Sequence, residues 1–401
     1  MTATNLTLPL FPTSRIEASP RLTPFLKWPG GKSQELPAIA AVAPDLAGRL
    51  IDPFVGGGSV LLATPTEVPA WANDACPELI ALFVAGARRD VEVLGAITGV
   101  AGAWDGLGTL GGLYEGLARA FPAGTGADVR GELDAHRVAL RAVSDDAGPG
   151  AADLFLGRVA GELLAKFGRM RAVQTKLGRD LSRPDLLANI EGSIRSSLYM
   201  ALRARYNGAR LAGRLDSLRL ADFFFLREFT YAAMFRFNGK GEFNVPYGGV
   251  SYNRKSLRPK ADVLFGDATR ERLASTTFRS GDFEPFLEAA AVTADDFVFV
   301  DPPYDSDFSD YDNRAFGACD QVRLRDVLAS LPARVMVVMK DTPAIRELYP
   351  PDRWYVLQAD KTYLWTIKSR NDRGATHLTI TNYEPDGMHA SHSGVGRAPD
   401  R

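Results

Sequence analysis

Arg49-Leu50-Ile51-Asp52-Pro53-Phe54-Val55-Gly56-Gly57-Gly58-Ser59-Val60-Leu61-Leu62-Ala63 is the stretch whose reading decides the fold. A short apolar run ends in an acid and a proline, three glycines form a turn, and an apolar segment opens a helix. Shortly after, Ala70-Trp71-Ala72 ends in Asn73-Asp74, and a helical stretch follows from Pro77 to about Ala87. Strand, glycine turn, helix, strand, acid is the order of a doubly wound α/β unit that holds a nucleotide-like cofactor.

The glycine loop narrows that cofactor. Gly56-x-Gly58 lacks the third glycine of a dinucleotide fingerprint, with Leu61 in its place, so no pyrophosphate signature is present. An acid at the strand end (Asp52) can pair with a cationic amino group, and Asp74 at the next strand end can take ribose hydroxyls. S-adenosylmethionine carries both groups and no phosphate. A plain structural turn would also use the glycines. Upstream, Phe25-Leu26-Lys27-Trp28-Pro29-Gly30-Gly31-Lys32-Ser33 ends like a phosphate loop, but that pattern needs glycine where Leu26 stands. It is either a plain turn or a turn whose aromatic and lysines embrace an anionic, aromatic-containing ligand.

A second α/β stretch spans about 263–383. Phe297-Val298-Phe299-Val300 reads as a buried strand stopping at Asp301-Pro302-Pro303-Tyr304. That corner offers a carboxylate, carbonyls outside any ladder and a ring face, a set suited to a flat heterocycle bearing an amine. An ordinary surface turn uses the same residues. A helix is expected around Gln321–Ser330 and a strand over Arg334–Met339. The alternating runs Tyr363–Ile367 and Thr376–Thr381 predict a closing antiparallel hairpin. Both stretches are expected to form one sheet, interrupted by an excursion from about Arg88 to Lys260.

The excursion changes character along its length. Residues 101–150 hold 11 glycines and read as loosely helical with turn-rich joints. Residues 158–219 carry 13 Lys or Arg against five acids, and 227–260 carry seven against two. The whole chain has a formal charge of −1, so this concentration of basic side chains suits a phosphate-backbone reader. A solvated helical face is the blander account. Two distant cysteines (Cys76, Cys319) and four scattered histidines form no metal-ligand pattern, so no metal is expected. No run of 18 apolar residues predicts a membrane span, and residues 1–24 lack the shape of a secretion signal. They are expected to form a flexible arm, and 385–401 a disordered tail.

The ordered series Phe25-Leu-Lys-Trp-x-Gly-Gly-Lys32, Asp52-Pro-Phe-x-Gly-x-Gly-Ser59, Asn73-Asp74 and Asp301-Pro-Pro-Tyr304 resembles the Dam-type (D12 class, alpha-order) DNA adenine-N6 methyltransferases. Arg236-Phe-Asn238-Gly-Lys-Gly-Glu-Phe-Asn244-Val-Pro-Tyr-Gly248 is similar to that family's recognition signature. Gly281-Asp282-Phe283 is similar to its cofactor-adenine segment, and Asp341–Tyr349 with Leu378–Tyr383 to its C-terminal strand-helix-strand. The resemblance implies a Rossmann-like S-adenosylmethionine-dependent methyltransferase sheet with an inserted, mainly helical DNA-recognition domain. The expected limits are 25–90 and 261–384 for the catalytic halves and 91–260 for the insert. It further implies that Trp28, Lys32, Asp52, Phe54, Gly56, Asp74, Asp282, Phe283 and Asp301 line S-adenosylmethionine. Asp301, Pro302, Pro303 and Tyr304 would hold a flipped adenine, and Lys27, Arg236, Asn238 and Asn244 would face double-stranded DNA.

The chemistry that follows is alignment rather than covalent catalysis. Acceptance of N6–H bonds by Asp301 and the Pro302 carbonyl would localise the N6 lone pair, and Tyr304 would stack on the base. No cysteine is expected beside these motifs, which argues against cytosine-C5 chemistry. Ala232-Ala233 and Gly249-Val250 depart from the family at recognition positions, so a GATC target does not carry over. Met339-Lys340 departs as well. The resemblance implies a cytoplasmic, nucleoid-associated enzyme acting in restriction-modification, phage defence or DNA marking, with a nuclease or defence proteins as partners. The competing readings are the same fold acting on RNA or protein, and a catalytically degenerate DNA-binding regulator.

Overall fold

The computed structural model of the chain describes residues 14–122, 125–303, 316–360 and 376–385. Seven strands among them form one sheet: β1 Leu50–Asp52, β2 Ala70–Asp74, β3 Thr276–Ser280, β4 Phe297–Val300, β5 Arg334–Lys340, β6 Tyr355–Asp360 and β7 Thr376–Thr381. Their order is β3-β2-β1-β4-β5-β7-β6. The first five strands run parallel, and β7 is antiparallel to both of its neighbours. The chain winds outward from β1 to β3 and then returns to β4 on the other side of β1. That reversal opens a crevice at the carboxyl ends of β1 and β4, where open α/β sheets take their ligands.

Strand periodicity explains why the sheet is covered on both faces. Phe297, Phe299, Met336 and Val338 belong to one core layer, while Val298, Val300, Val335 and Val337 belong to the other. Successive side chains point to opposite faces, so these near-continuous apolar runs need helices on both sides. The covering helices are α1 Leu36–Val42, α2 Ser59–Ala63 and α3 Pro77–Arg88 in the first half of the fold.

Seven consecutive helices then make the excursion: α4 Val91–Leu107, α5 Gly111–Ala120, α6 Gly126–Ala135, α7 Arg137–Asp145, α8 Ala151–Leu177, α9 Arg183–Leu211 and α10 Ser217–Phe229. Their starts follow capping chemistry. Asp90 accepts from Glu92 and Val93 N–H, Ser182 from Asp185 N–H, and Asp216 from Arg219 N–H. Phe224 stacks on Phe25, which meets Phe83 edge-on, so the core of the excursion is continuous with that of the sheet. The return passes through α11 Arg258–Phe265 and α12 Asp267–Ala274, and α13 Phe283–Ala290, α14 Ala318–Ser330 and α15 Pro343–Leu348 complete the second half.

Several sequence expectations change here. The glycine-rich stretch forms helices α4–α7 with turns between them, where Gly148 and Gly150 take positive φ, while some glycines inside the helices mark close approaches. A Cβ at Gly99 would lie 2.2 Å from the Asp146 carbonyl oxygen, and one at Gly116 would lie 2.1 Å from Glu132 Oε2. Residues 14–17, expected within a free arm, pack on the body: Ser14 bridges Leu46, Glu17 N–H donates to Ala63 O at 2.8 Å, and Ile16 is buried. The strand paired with β7 is β6 at 355–360, whereas the run expected at 363–367 lies outside the described residues. The edge strand β3 has no apolar alternation and was missed. No single described helix is long and apolar enough to cross a membrane.

Candidate active site

Four parallel strands deliver polar groups to one place. Asp52 ends β1, Asp74 ends β2, Gly281 and Asp282 follow β3, and Asp301 follows β4. All of them line a cavity of about 1160 Å³ that also reaches Trp28, Phe54, Pro302 and Pro303. That volume exceeds the roughly 300–1,000 Å³ of a usual small-molecule site, which leaves room for a second ligand beside a cofactor.

The glycine turn is shaped by its neighbours. Gly56 has φ +48°, and a Cβ there would sit 2.8 Å from Trp28 Cδ1; Gly58 has φ +76°, and its Cβ would sit 2.9 Å from Phe83 Cζ. Both positions need glycine for conformation and for space. Asn73 ties the strand ends together, donating to Pro53 O at 3.0 Å and to Gly281 O at 2.9 Å.

The three strand-end acids are in different states. Asp52 is 2% exposed, and the bond described at its carboxylate is from Phe54 N–H at 3.2 Å. Burial pushes its pKa well up, with Asp301 and Asp74 adding like-charge repulsion. A buried acid so thinly satisfied fits a cationic ligand group. Asp74 accepts from Gly56 N–H at 3.1 Å and Cys76 N–H at 2.9 Å, and burial still raises it to about 6. Asp301 is also raised by burial, opposed by Lys32, whose Nζ stands 2.6 Å from Asp301 Oδ1. Lys32 donates to Gly30 O as well, at 2.9 Å. It therefore serves the acid of the β4 corner directly while lining the cavity.

The aromatic wall is partly new. Phe54 and Phe283, both expected, have ring centroids 5.5 Å apart, and Phe316 closes on Phe54 edge-on at 5.6 Å. Arg323 lies over Phe283 and clasps Asp282 with two bonds of 2.9 and 2.7 Å. The Asp282 carboxylate also caps α13 through Glu284 N–H. Arg323 also pairs with Glu284 at 2.9 Å and Asp320 at 3.0 Å, so Asp282 brings to the cavity an acid that shares one arginine with two others. Tyr304 lies outside the described residues.

Sequence reading missed the opposite wall, where Glu78, Tyr206, Arg210, Phe235 and Phe237 line the cavity. Glu78 is buried and holds Arg219 at 2.5 Å and the Tyr206 hydroxyl at 2.8 Å. No motif announces this wall, because its members come from α3, α9 and the segment after α10. Cys76 also lines the cavity, contrary to the expectation that no cysteine sits near these motifs. Burial and Glu78 raise its thiol well above the usual range, which keeps it protonated and unsuited to nucleophilic attack.

The residues expected to face DNA lie on the excursion side. Lys27 is exposed beside Lys255, whose ammonium is lowered to about 8 by burial and by Lys27. The Lys27 carbonyl accepts from Arg227, and the Arg227 guanidinium is sandwiched between Trp28 at 4.8 Å and Phe235 at 4.7 Å. Arg236 is exposed and donates to Asn244 Oδ1 at 3.4 Å. Asn238 instead holds a tight turn: its side chain accepts from Lys240 and Glu242 N–H and donates to Glu242 Oε2. The bridge between Phe237 and Phe243 makes this segment a short hairpin.

The sequence model of one family, described as D12 class N6 adenine-specific DNA methyltransferase, matches residues 28–96 and 175–362. The chain is 29% identical to the type II methyltransferase M1.LlaDCHI of Lactococcus lactis subsp. cremoris, over 50% of this chain and 70% of that one. It is 32% identical to the type II methyltransferase M.CviBI of Paramecium bursaria Chlorella virus NC1A, over 40% and 60%. It is 28% identical to a DNA adenine methylase of Vibrio cholerae serotype O1, over 45% and 62%.

Proposed function

Because the chain belongs to the D12 class N6 adenine-specific DNA methyltransferase family, we propose that it moves a methyl group from S-adenosylmethionine to N6 of an adenine held out of duplex DNA, with Asp301 and Pro302 gripping that adenine. The observation that carries this reading is the Asp301 corner, paired to Lys32 and opening into the same cavity as Asp52 and Asp74.

When bound, S-adenosylmethionine supplies a methyl group already activated by its sulfonium. Asp52 holds its amino group, the charge that this buried carboxylate otherwise lacks. Asp74 takes ribose hydroxyls on the lone pairs left free by Gly56 and Cys76. Phe54, Phe283 and Phe316 would line the space for its adenine ring, and Trp28 packs against the glycine turn.

Adenine N6 is a poor nucleophile because its lone pair is delocalised into the ring. The Asp301 carboxylate and the Pro302 carbonyl accept the two N6–H bonds and turn the lone pair toward the methyl group. Asp301 would then face the positive charge that grows on N6 as N6 bonds to the methyl group, the S–CH3 bond breaking with its electron pair left on the sulfur of S-adenosylhomocysteine, and would offer an acceptor for the N6 proton. Lys32 opposes the rise that burial imposes on the Asp301 pKa and so favours the carboxylate form. Tyr304 stacks on the adenine, as the family resemblance implies. Arg236 and Asn244 on the hairpin, with Lys27, face the duplex, and helices α4–α10 form the DNA-recognition domain.

Relatives named as type II methyltransferases favour a restriction-modification setting with a partner nuclease, at the nucleoid in the cytoplasm. The test is tritium transfer from labelled S-adenosylmethionine to duplex DNA free of adenine methylation, compared with RNA of matched sequence. Incorporation into DNA alone, abolished by Asp301→Ala, supports the reading. Incorporation into RNA alone, or cofactor binding without turnover on any DNA, overturns it.

A further inference from the structure

We infer that helix α8 provides a second track of phosphate contacts, gripping duplex DNA that flanks the methylated site. This rests on the DNA reading above and adds a surface that lies mostly outside the family match: Arg158, Lys166 and Arg169 fall in the unmatched residues 97–174, and Lys176 lies just inside the match.

The argument starts from how the basic side chains of the excursion are used. Arg183, Arg195, Arg205, Arg214 and Arg219 each pair with an acid: Glu115, Glu191, Asp222, Asp216 and Glu78 in turn. The pairs at Arg195, Arg205 and Arg219 are buried in the fold, and those at Arg183 and Arg214 lie at the surface. Arg158, Lys166, Arg169 and Lys176 of α8 are different, for among the described residues none of the four is ion-paired to a carboxylate. Together with Glu162 and Val173 they occupy positions 158, 162, 166, 169, 173 and 176, in steps of three and four, which places all six along one flank of the helix. Only Glu162 interrupts the row with a negative charge.

The buried residues Phe155, Val159, Leu163, Phe167 and Met170 fix which side of α8 faces the core. The row runs beside that face, with Arg169 and Lys176 exposed and Arg158 and Lys166 half-buried along their stems. Lys166 is depressed by burial and by Arg169 beside it, a like-charge strain that an anion would relieve. Arg158 Nε donates to Leu154 O at 3.0 Å, but no ion pair among the described residues accounts for the charges of the row.

Position supplies the partner. Arg203 of α9 feels Arg158 as a neighbouring like charge, and its Nη1 donates to Val245 O at 3.0 Å. Val245 follows Asn244 on the hairpin proposed to face DNA. The row therefore begins beside that hairpin and runs away from it for 18 residues, about 27 Å at the usual helical rise. At roughly 3.4 Å per nucleotide step, that length spans about eight base pairs. A row of cationic side chains leading away from a DNA-facing hairpin matches the regular charge of a duplex backbone.

The test uses full-length protein carrying Arg158→Gln, Lys166→Gln, Arg169→Gln and Lys176→Gln together. Binding to a fluorescent duplex of mixed sequence, about 40 base pairs long, is followed by anisotropy from about 50 to about 300 mM salt, with methyl incorporation and S-adenosylhomocysteine affinity measured in parallel. The salt slope should fall by about 0.9 for each phosphate no longer neutralised, close to 3–4 in all. Cofactor affinity should stay at the wild-type value, which reports an intact fold. A variant that keeps the wild-type slope overturns the inference while leaving methyl transfer standing. Wild-type protein that neither binds the duplex in a salt-dependent way nor methylates it overturns the underlying DNA reading instead. Loss of slope restricted to an RNA duplex would also reject the α8 track on DNA.

Discussion

Lys32 Nζ stands 2.6 Å from Asp301 Oδ1, with side-chain exposures of 3% and 19%. The contact joins the turn before α1 to the end of β4, and behind it Glu35 and His377 approach each other at 3.3 Å. Burial raises the Asp301 carboxyl and the Lys32 ammonium opposes that rise. Lys32→Met removes the opposition, so the acid should titrate at still higher pH. The sign is clear: the active form is the carboxylate, so the acidic limb of the kcat/KM profile should move upward. Methyl transfer at neutral pH should drop by about 10²-fold or more, in keeping with the loss of a charge-stabilising partner, and partly recover in alkaline buffer. An unshifted profile would contradict this role.

Asp52 should be tested through cofactor affinity. Asp52→Asn removes the charge proposed to hold the amino group, and affinity should weaken by about 10–100-fold, the worth of a charged hydrogen bond. Burial raises the Asp52 pKa, and the form that pairs with a cationic amine is the carboxylate. Wild-type affinity should therefore rise with pH through the Asp52 transition, and the asparagine variant should lack that rise. Calorimetry across a pH series reads both.

Gly56→Ala places a Cβ within 2.8 Å of Trp28 Cδ1 at a backbone φ of +48°. The variant should bind S-adenosylmethionine at least about tenfold more weakly, since the turn must shift to relieve strain of order 1–3 kcal/mol. Far-ultraviolet circular dichroism should be unchanged, because the strain is local.

Asp74 gives a stability prediction in the ligand-free protein. Its folded pKa, about 6, lies above the ordinary carboxylate value, so the folded state binds a proton more readily than the unfolded chain. Its unfavourable charge is fully present above pH 6 and is relieved as pH falls through 6 toward about 4. Asp222, also near 6, acts in the same direction. Asp74→Asn should raise the melting temperature more at about pH 7.5 than at about pH 5.5; equal shifts would reject the assignment.

Breaking the Glu78–Arg219 pair should be costly. Arg219→Met leaves Glu78 buried without its cation, and loss of one partner from such a pair typically costs about 3–5 kcal/mol. Urea unfolding should show a lower midpoint of that order, whereas the exposed Arg214–Asp216 pair should contribute less than about 1 kcal/mol.

What could be read beforehand follows from how local the physics is. The β1 turn and the Asp301 corner were legible because strand end, glycine and acid are adjacent in the chain. The single sheet followed from two α/β stretches with a gap between them. β3 was invisible because an edge strand with the pattern Thr-Thr-Phe-Arg-Ser has no apolar face to mark it. The Gly-rich helices were legible only loosely, because glycine signals turns, as at Gly148 and Gly150, while Gly99 and Gly116 serve helix packing that only the tertiary fold displays. The wall of Glu78, Tyr206 and Phe235, and the clasp of Arg323 on Asp282, join residues far apart in sequence, and no spacing announces them.

The central claim is that the amine of adenine is the group methylated. Duplex DNA free of methylated bases, incubated with the protein and S-adenosylmethionine bearing a trideuterated methyl group, can be digested to nucleosides and analysed by mass spectrometry. The account predicts trideuteromethyl label on N6 of deoxyadenosine and none with Asp301→Ala. Label on cytosine, or label retained by Asp301→Ala, would contradict it.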